Sequence, residues 1–383
     1  MTFDLVIAGL GAAGAAAAWR AAVRGLRVAG FDKHEPPHTL GSTHGRSRII
    51  REAYFEHPQY VPLVQRAYKL WADLEASAHT RLFQACGGLM LGPRGSAVIE
   101  GTLRSAREHH LSVDEWTAAE VRARVPTLSP GADMVGVFEP RAGVLSPERG
   151  LAAMLSAARA AGAELFARQA VHGWQPTPEG VEVHTKPFNG PDRTIRARWL
   201  LLSVGPWLPS LLGGGMTDAV PLTVERVVQH WYPPAADDRF APQKFPVFLL
   251  EAPDGRVLYG LPDQGDGLKL AEHHGGVLGP IGGIDRTVSI EEQHRFHDFA
   301  RAWVSGLDAR PRESSVCVYT NTPDGDFLLD WHPADPHVYI ASPCSGHGFK
   351  FAPAIGEVVT SELLGEQPAV DLSPFRLARF TPR

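Results

Sequence analysis

Three glycines near the N-terminus, Gly9, Gly11 and Gly14, have the G-x-G-x-x-G spacing of a dinucleotide-binding loop. Gly9 permits a tight turn, Gly11 lets a pyrophosphate approach the backbone, and Gly14 lets the following helix pack closely on a sheet. Asp32 follows the glycines at close to the expected spacing of ~20 residues. An acidic side chain at that position accepts hydrogen bonds from a ribose. These residues predict a dinucleotide site, although they do not distinguish FAD from NAD.

The segments around these glycines have the patterns needed to position them. Residues 3–8 form an apolar run typical of a buried strand, and residues 26–31 form a second run that ends at Asp32. Between them, residues 12–24 are rich in alanine and predict a helix that Gly25 ends. The order of strand, glycine loop, helix, strand and acid favours a Rossmann-like unit over an ordinary glycine-rich turn.

A second glycine loop lies at residues 345–350, between an apolar strand at 338–341 and a helix that begins near Pro353. The positive end of such a helix stabilises nearby negative charge, as at the N1–C2=O edge of a reduced flavin. A tight turn with a solvated Lys350 explains the same pattern. The second loop therefore supports a flavin only in combination with the first motif.

The composition of the chain excludes several classes of protein. The chain has 383 residues, with 37 Lys and Arg against 42 Asp and Glu, and 44% of its residues are hydrophobic. These values argue against a disordered or fibrous chain, and the lack of a basic excess argues against a nucleic-acid partner. The length suits roughly two to three domains, or one large α/β body with an insertion.

The three cysteines, Cys86, Cys317 and Cys344, are too few and too far apart for a disulfide framework or a structural zinc site. The histidines show no metal-binding spacing, so we expect no metal. The longest uncharged run, residues 5–19, is shorter than the ~20 residues of a membrane span and follows the acidic Asp4. We expect a cytoplasmic protein without a signal peptide or membrane association.

Segments with helix and strand patterns in alternation occupy residues 1–83, 146–217 and 316–383, whereas hairpin-rich segments occupy 84–145 and 218–315. The predicted fold class is α/β, or α+β overall, with a discontinuous dinucleotide-binding domain made by the first three ranges. The two hairpin-rich ranges are expected to form an inserted antiparallel domain that binds the substrate.

Five motifs, at residues 9–32, 44–51, 267–270, 316–320 and 345–350, resemble those of the monomeric sarcosine oxidase and N-methyltryptophan oxidase family. They occur in the family's order along almost the whole chain. The resemblance implies an FAD-dependent amine oxidase with a fold like that of D-amino-acid oxidase, in which a Rossmann-like FAD-binding domain carries an inserted antiparallel-sheet substrate domain. It also implies a monomer whose partners are a small amine substrate and O₂.

Members of this family hold the flavin covalently, by a cysteine thioether to its 8α-methyl group, and the match assigns this role to Cys317. A thiolate is the right nucleophile for that methyl group. Cys344, which adjoins the second glycine loop, is a rival, and a buried structural role for Cys317 is a further alternative. The match assigns a larger set of residues to the FAD site: Gly9, Gly11, Ala13, Gly14, Asp32, Lys33, His38, Gly41, Ser42, Arg48, Ile49, Val171, Ser203, Gly205, Trp207, Cys317, Gly346, His347, Gly348, Phe349 and Lys350.

The resemblance implies that Arg51 and Lys350 bind the substrate carboxylate, with Tyr319 in the same pocket. Arginine offers a planar guanidinium with two parallel donors, and lysine offers a compact positive charge. The alternative for Arg51 is a surface charge or a phosphate contact. Lys269 matches the family's oxygen-activating lysine, because a cation stabilises developing superoxide, although a lone lysine in a strand is usually a solvated edge charge. The implied catalytic set is Lys269, Arg48, His44, Tyr259 and His273.

The implied reaction is oxidative demethylation of sarcosine or another N-methyl amino acid, which gives formaldehyde, the demethylated amino acid and H₂O₂. A related deaminating amino-acid or imino-acid oxidase or dehydrogenase is the nearest alternative, and a catalytically silent flavin-binding sensor is a remote one. Two residues depart from the family pattern, since Thr43 stands where a histidine is usual and Arg46 where an aspartate is usual. These departures leave the local polarity and the preferred amine open.

Overall fold

The computed structural model describes residues 2–213, 220, 222–307 and 309–380. Within these ranges the chain forms two large β-sheets, a three-stranded sheet and seven α-helices. None of the helices in these ranges is both long enough and apolar enough to cross a membrane.

The strands are, in chain order, β1 (Thr2–Ala8), β2 (Val28–Phe31), β3 (Arg48–Ile50), β4 (Phe83–Ala85), β5 (Gly88–Pro93), β6 (Asp114–Thr117), β7 (Met134–Glu139), β8 (Gly143–Leu145), β9 (Glu164–Phe166), β10 (Gln169–Thr177), β11 (Gly180–Pro187), β12 (Arg193–Leu202), β13 (Thr223–Trp231), β14 (Val247–Glu251), β15 (Val257–Leu261), β16 (Lys269–His273), β17 (Val277–Leu278), β18 (Glu313–Asn321), β19 (Leu328–His332) and β20 (Asp335–Ser342). The helices are α1 (Ala12–Val23), α2 (Val61–Ala78), α3 (Ala97–Glu108), α4 (Ala118–Arg124), α5 (Pro147–Ala160), α6 (Ile290–Ala300) and α7 (Ala352–Leu363).

The first large sheet has β1 at its centre, parallel to β2 on one side and to β12 on the other. Its order is β10-β11-β12-β1-β2-β9, and β20, followed by β19, pairs with the end of β12. Leu5 and Val6 are both fully buried, because side chains pack against both faces of the sheet. A parallel strand buried in this way has a continuous apolar sequence. The predicted order of strand, loop, helix and strand at the N-terminus is confirmed.

Helices α1 and α7 lie in direct backbone contact on this sheet. A Cβ atom on Gly356 of α7 would overlap the backbone of Ala16 in α1. The alanines of α1 therefore serve close packing, since larger side chains would hold the two helices apart. As a result, the glycine loops that precede the two helices meet at one place.

The second large sheet has the order β17-β13-β16-β15-β14-β5-β7-β6 and is mostly antiparallel. Within the hairpin-rich range 218–315, β14 and β15 form a hairpin in which Phe248 lies opposite Gly260. The small third sheet has the order β3-β8-β4, and its strand β3 contains Arg48.

Strand β18 crosses one of the proposed domain boundaries. The sequence predicts a boundary at residue 316, but β18 runs across that point and pairs with β13 along its whole length, as in Val227 opposite Cys317. This strand therefore belongs to the second sheet. The predicted boundary between 217 and 218 lies outside the described residues, and the remaining division into domains stays a proposal.

Candidate active site

A cavity of about 450 Å³ lies at the meeting point of the two glycine loops and the second large sheet. All the residues predicted for the cofactor, the substrate and catalysis line this cavity, except Gly14, His44 and Lys269. The cavity therefore brings together side chains from positions as distant in the chain as Gly9 and Lys350.

The N-terminal end of the cavity is built around Asp32. Its carboxylate oxygens accept hydrogen bonds from the backbone N–H groups of Leu10 (2.9 Å) and His34 (2.8 Å), and His38 Nε2 lies 3.5 Å away. Burial raises the pKa of Asp32, but these hydrogen bonds outweigh it and hold the pKa below its usual value. The ionised carboxylate keeps acceptor capacity for hydroxyl groups.

Gly14 has a packing role rather than a lining role. A Cβ atom at this position would overlap the carbonyl oxygen of Gly9 and would lie 2.6 Å from Ser203 Oγ. The close approach of α1 to the sheet therefore requires glycine here, as the motif predicts.

The second glycine loop packs tightly beside two rings of the second sheet. Gly346 has a φ of +79°, and a Cβ on it would lie 2.7 Å from the Tyr319 ring and 2.9 Å from His273 Cε1. A Cβ on Gly348 would overlap the carbonyl oxygen of Pro343. Glycine at both positions lets the loop turn into α7 against the cavity.

The polar groups of the cavity fit FAD. Gln229 is a lining residue, and its Oε1 is buried without a hydrogen-bond partner among the described residues, as is Nε2 of the nearby His44. The first turns of α1 and α7 contain no acidic side chain, so their N-terminal ends are suited to anionic groups. The pyrophosphate of FAD supplies the negative charge that suits the helix ends. Its polar ring system supplies hydrogen-bond partners for the unpaired side-chain atoms.

The two cysteines at the cavity differ in their surroundings. Cys317 is buried on β18, with its Sγ 3.9 Å from Arg48 Nη2 and 3.9 Å from the carbonyl oxygen of Ser42. Cys344 lies on the second glycine loop, and burial raises the pKa of its thiol. Of the two sulfurs, that of Cys317 lies beside the Arg48 guanidinium.

Arg51 and Lys350 are buried cations whose side chains reach the cavity from different directions. The Arg51 guanidinium lies against the Tyr54 ring, 4.2 Å from its centroid, and Nη2 is 2.6 Å from Glu56 Oε2. Lys350 Nζ donates to the Tyr54 hydroxyl (3.2 Å) and to the carbonyl oxygen of His347 (2.9 Å). Both cations therefore have protein partners.

The charges of this group are strongly coupled. Burial and repulsion from Arg51 lower the pKa of Lys350 to about 7, although Glu56 acts in the opposite direction. Burial raises the pKa of Glu56, but Arg51, His347 and Lys350 outweigh it and hold that pKa at about 2. Arg51 and Glu56 are thus ionised near neutral pH, whereas Lys350 is close to its midpoint.

Tyr259, His273 and Tyr319 form a ring cluster in the lining of the same cavity. Tyr319 Oη lies 3.5 Å from His273 Nδ1, and the ring centroids of Tyr259 and His273 are 6.4 Å apart. Burial, followed by repulsion from His274, lowers the pKa of His273 to about 3. The imidazole is therefore neutral at physiological pH.

Lys269 does not line the cavity. Its side chain is buried behind the loop that contains Gly45 and Ser47, and Nζ donates to their carbonyl oxygens at 2.7 and 2.9 Å. Burial and the nearby Arg48 hold its pKa well below the usual value. The lysine therefore lies one layer behind the wall of the cavity.

The two departures from the family pattern occupy different places. Thr43 lines the cavity, and its hydroxyl accepts a hydrogen bond from Ala12 N at 3.2 Å. Arg46 is not among the lining residues, and it forms an ion pair with Glu313 while lying over the Trp231 ring. Thr43 therefore affects the cavity directly, whereas Arg46 joins the loop to the second sheet.

Glu56 and Gln229 are two polar residues of the cavity lining that the sequence motifs do not single out. Glu56 lies five positions after Arg51, and only the folded loop shows that the two side chains pair. Gln229 is one of four buried polar residues of β13, with Glu225, Arg226 and His230. No feature of the strand's sequence distinguishes it from the other three.

Comparison with known proteins places these observations in a family. The model of the DAO family, FAD dependent oxidoreductase, matches residues 4–362. The chain is 40% identical to monomeric sarcosine oxidase from Streptomyces avermitilis, covering 94% of this chain and 92% of that protein. It is 36% identical to N-methyl-L-tryptophan oxidase from Yersinia pestis (strain Pestoides F), covering 99% and 100%. The structure of L-proline dehydrogenase from P. horikoshii has a TM-score of 0.84 at 20% identity, covering 99% of this chain and 98% of that chain.

Proposed function

The chain belongs to the DAO family of FAD-dependent oxidoreductases, and we propose that it oxidises a secondary amine that carries a carboxylate, namely sarcosine or another N-methyl amino acid. The products are formaldehyde, the demethylated amino acid and H₂O₂. The observation that carries this proposal is the pair of buried cations at the cavity, Arg51 and Lys350. The two relatives named for oxidation of N-methyl compounds support it.

Arg51, Lys350 and Glu56 select an anionic group. With Glu56 ionised and both cations protonated, the three side chains carry one net positive charge. One carboxylate neutralises that charge, and burial of the group makes the attraction strong. An amine without a carboxylate leaves the charge unpaired and is expected to bind poorly.

The surroundings of the amine favour its neutral form. His273 is a neutral imidazole, and burial raises the pKa of the Tyr259 hydroxyl to about 12, so it is also neutral. The permanent positive charges at the cavity, on Arg48 and Arg51, disfavour a protonated amine. FAD held in this cavity would supply the two-electron chemistry, namely removal of a hydride from the substrate and transfer of the electrons to O₂. A neutral amine is the form that releases a hydride from its methyl carbon.

Cys317 is proposed as the covalent attachment point of the flavin, since Arg48 lies beside its sulfur. Lys269 is proposed to stabilise the negative charge that develops as O₂ is reduced. Its Nζ donates two hydrogens to loop carbonyl oxygens, which fixes the amino group behind the wall of the cavity.

The test is a peroxide assay with sarcosine, other N-methyl amino acids, proline and pipecolate, in which formaldehyde and ammonia are both quantified. We expect peroxide and formaldehyde in equal amounts from an N-methyl amino acid, and no turnover of dimethylamine, which lacks the carboxylate. Ammonia without formaldehyde would assign the protein to deamination. Rapid flavin reduction with little peroxide would assign it to the dehydrogenases.

A further inference from the structure

A chain of hydrogen bonds begins at Lys350 and continues through Tyr54 and His347 to the backbone. Lys350 Nζ donates to Tyr54 Oη, which lies 2.7 Å from His347 Nδ1. His347 Nε2 lies in turn 3.1 Å from the carbonyl oxygen of Gly325. Tyr54, His347 and Lys350 are all buried, so each hydrogen bond is shielded from water.

The donors and acceptors of this chain have one consistent direction. A carbonyl oxygen only accepts, so the hydrogen on the imidazole is on Nε2 and points to Gly325. Burial lowers the pKa of His347 to about 4, so the ring is neutral near pH 7 and its Nδ1 accepts. The Tyr54 hydroxyl hydrogen therefore points to Nδ1, which leaves the oxygen lone pairs for Lys350.

We propose that Tyr54 and His347 are positioning residues that hold the Lys350 ammonium in place for the carboxylate of the substrate. This inference rests on the proposed function, and it adds two residues to it. An ammonium has three N–H donors. Two of them are used on Tyr54 and on the His347 carbonyl oxygen, and one is left for a ligand.

The other charged groups that face Lys350 are Arg51, Glu56 and Arg48. Arg51 also lies against the Tyr54 ring, so the tyrosine contacts both proposed carboxylate ligands. Acceptance of a hydrogen bond by the tyrosine oxygen favours the protonated lysine. Loss of that oxygen is expected to weaken carboxylate binding and to make Lys350 lose its proton at lower pH.

Tyr60 provides a matched control within the same aromatic cluster. Its ring lies 5.0 Å from that of Tyr54, and it is equally buried. Its hydroxyl donates to Asp326 Oδ1 at 2.7 Å and accepts from the backbone N–H of Phe327. A Tyr60→Phe substitution therefore removes a buried hydroxyl without removing a partner of Lys350.

The experiment measures binding of butyrate, a carboxylate with a methylene in place of the amine of sarcosine, to the flavin-containing wild type, Tyr54→Phe and Tyr60→Phe. Calorimetry in two buffers with different ionisation enthalpies gives the number of protons taken up. At pH 7 we expect about 0.5 proton for the wild type and about 0.9 for Tyr54→Phe, a shift of roughly one pH unit. Butyrate affinity of Tyr54→Phe is expected to fall about tenfold, with Tyr60→Phe unchanged.

Flavin reduction at saturating substrate is expected to change less than about twofold in Tyr54→Phe, because the substitution removes a binding contact and not a reacting group. His347→Leu, which removes the acceptor of the tyrosine hydrogen, is expected to give the same shift. The inference would be overturned if Tyr54→Phe, Tyr60→Phe and His347→Leu all took up the same number of protons on butyrate binding. Butyrate binding that is independent of pH in the wild type would instead contradict the proposed carboxylate site.

Discussion

Carboxylate affinity is expected to fall steeply with pH because Lys350 is half protonated near neutral pH. Its pKa is about 7 in the structure, as a result of burial and of repulsion from Arg51. The neighbouring groups do not change charge between pH 6 and 9, since the pKa of Glu56 is about 2 and that of His347 is about 4. A change in affinity within this window therefore reports on Lys350.

The magnitude follows from the protonated fraction. A carboxylate binds the protonated lysine and raises its pKa in the complex, so a proton is taken up on binding. Above pH 7 the affinity of the free protein is expected to fall about tenfold for each pH unit, or about 100-fold between pH 6 and pH 9, which corresponds to ~2.7 kcal/mol. The direction is a loss of affinity as the pH rises.

The assay is a titration of the flavin absorbance with butyrate at several pH values, in the wild type, Lys350→Gln and Lys186→Gln. Lys186 is an exposed lysine of β11 and serves as the control. Lys350→Gln is expected to bind weakly at all pH values, near the level of the wild type at pH 9. A wild type whose affinity is constant from pH 6 to 9, or a Lys350→Gln variant that keeps the slope, would refute the reasoning.

Three further substitutions test the remaining proposals. Cys317→Ser is expected to release the flavin on acid precipitation while Cys344→Ser retains it in the pellet, and a colourless pellet from Cys344→Ser alone would move the attachment to that residue. Lys269→Met is expected to slow flavin reoxidation by O₂ on the order of 100-fold with a much smaller effect on anaerobic reduction, both followed by stopped flow; equal slowing of both steps would contradict its proposed role. Asp32→Ala leaves two backbone N–H groups unpaired, so we expect lower flavin content and a loss of on the order of 1–3 kcal/mol in urea unfolding of the flavin-free protein, whereas unchanged flavin content would contradict a ribose contact.

Local sequence was sufficient for the parts of the structure that local contacts determine. The glycines and alanines that precede Asp32 predict a strand, a turn and a helix, because each residue restricts the backbone near itself. The same holds for Pro353, which lies in the first turn of α7. The fold class was predicted in the same way, from the order of such segments.

Pairing between distant segments could not be predicted in this way. Strand β18 continues the second sheet because β13 offers it an edge, and nothing near residue 316 indicates that partner. Glu56 could not be predicted because its ion pair with Arg51 is visible only in the folded loop. The sequence motif assigns Arg51 to the substrate carboxylate and indicates no protein partner for it. Lys269 is placed behind a loop by two carbonyl oxygens, and its sequence motif contains no information about them.

The backbone contact between Gly356 and Ala16 has a consequence for biosynthesis. The ribosome makes α1 before α7, and more than 300 residues separate the two helices. Until α7 is made, the alanine-rich face of α1 lacks the helix that covers it, and the second glycine loop is missing from the cavity. The nascent chain is therefore expected to gain its capacity for FAD late, at the moment when α7 leaves the exit tunnel and docks.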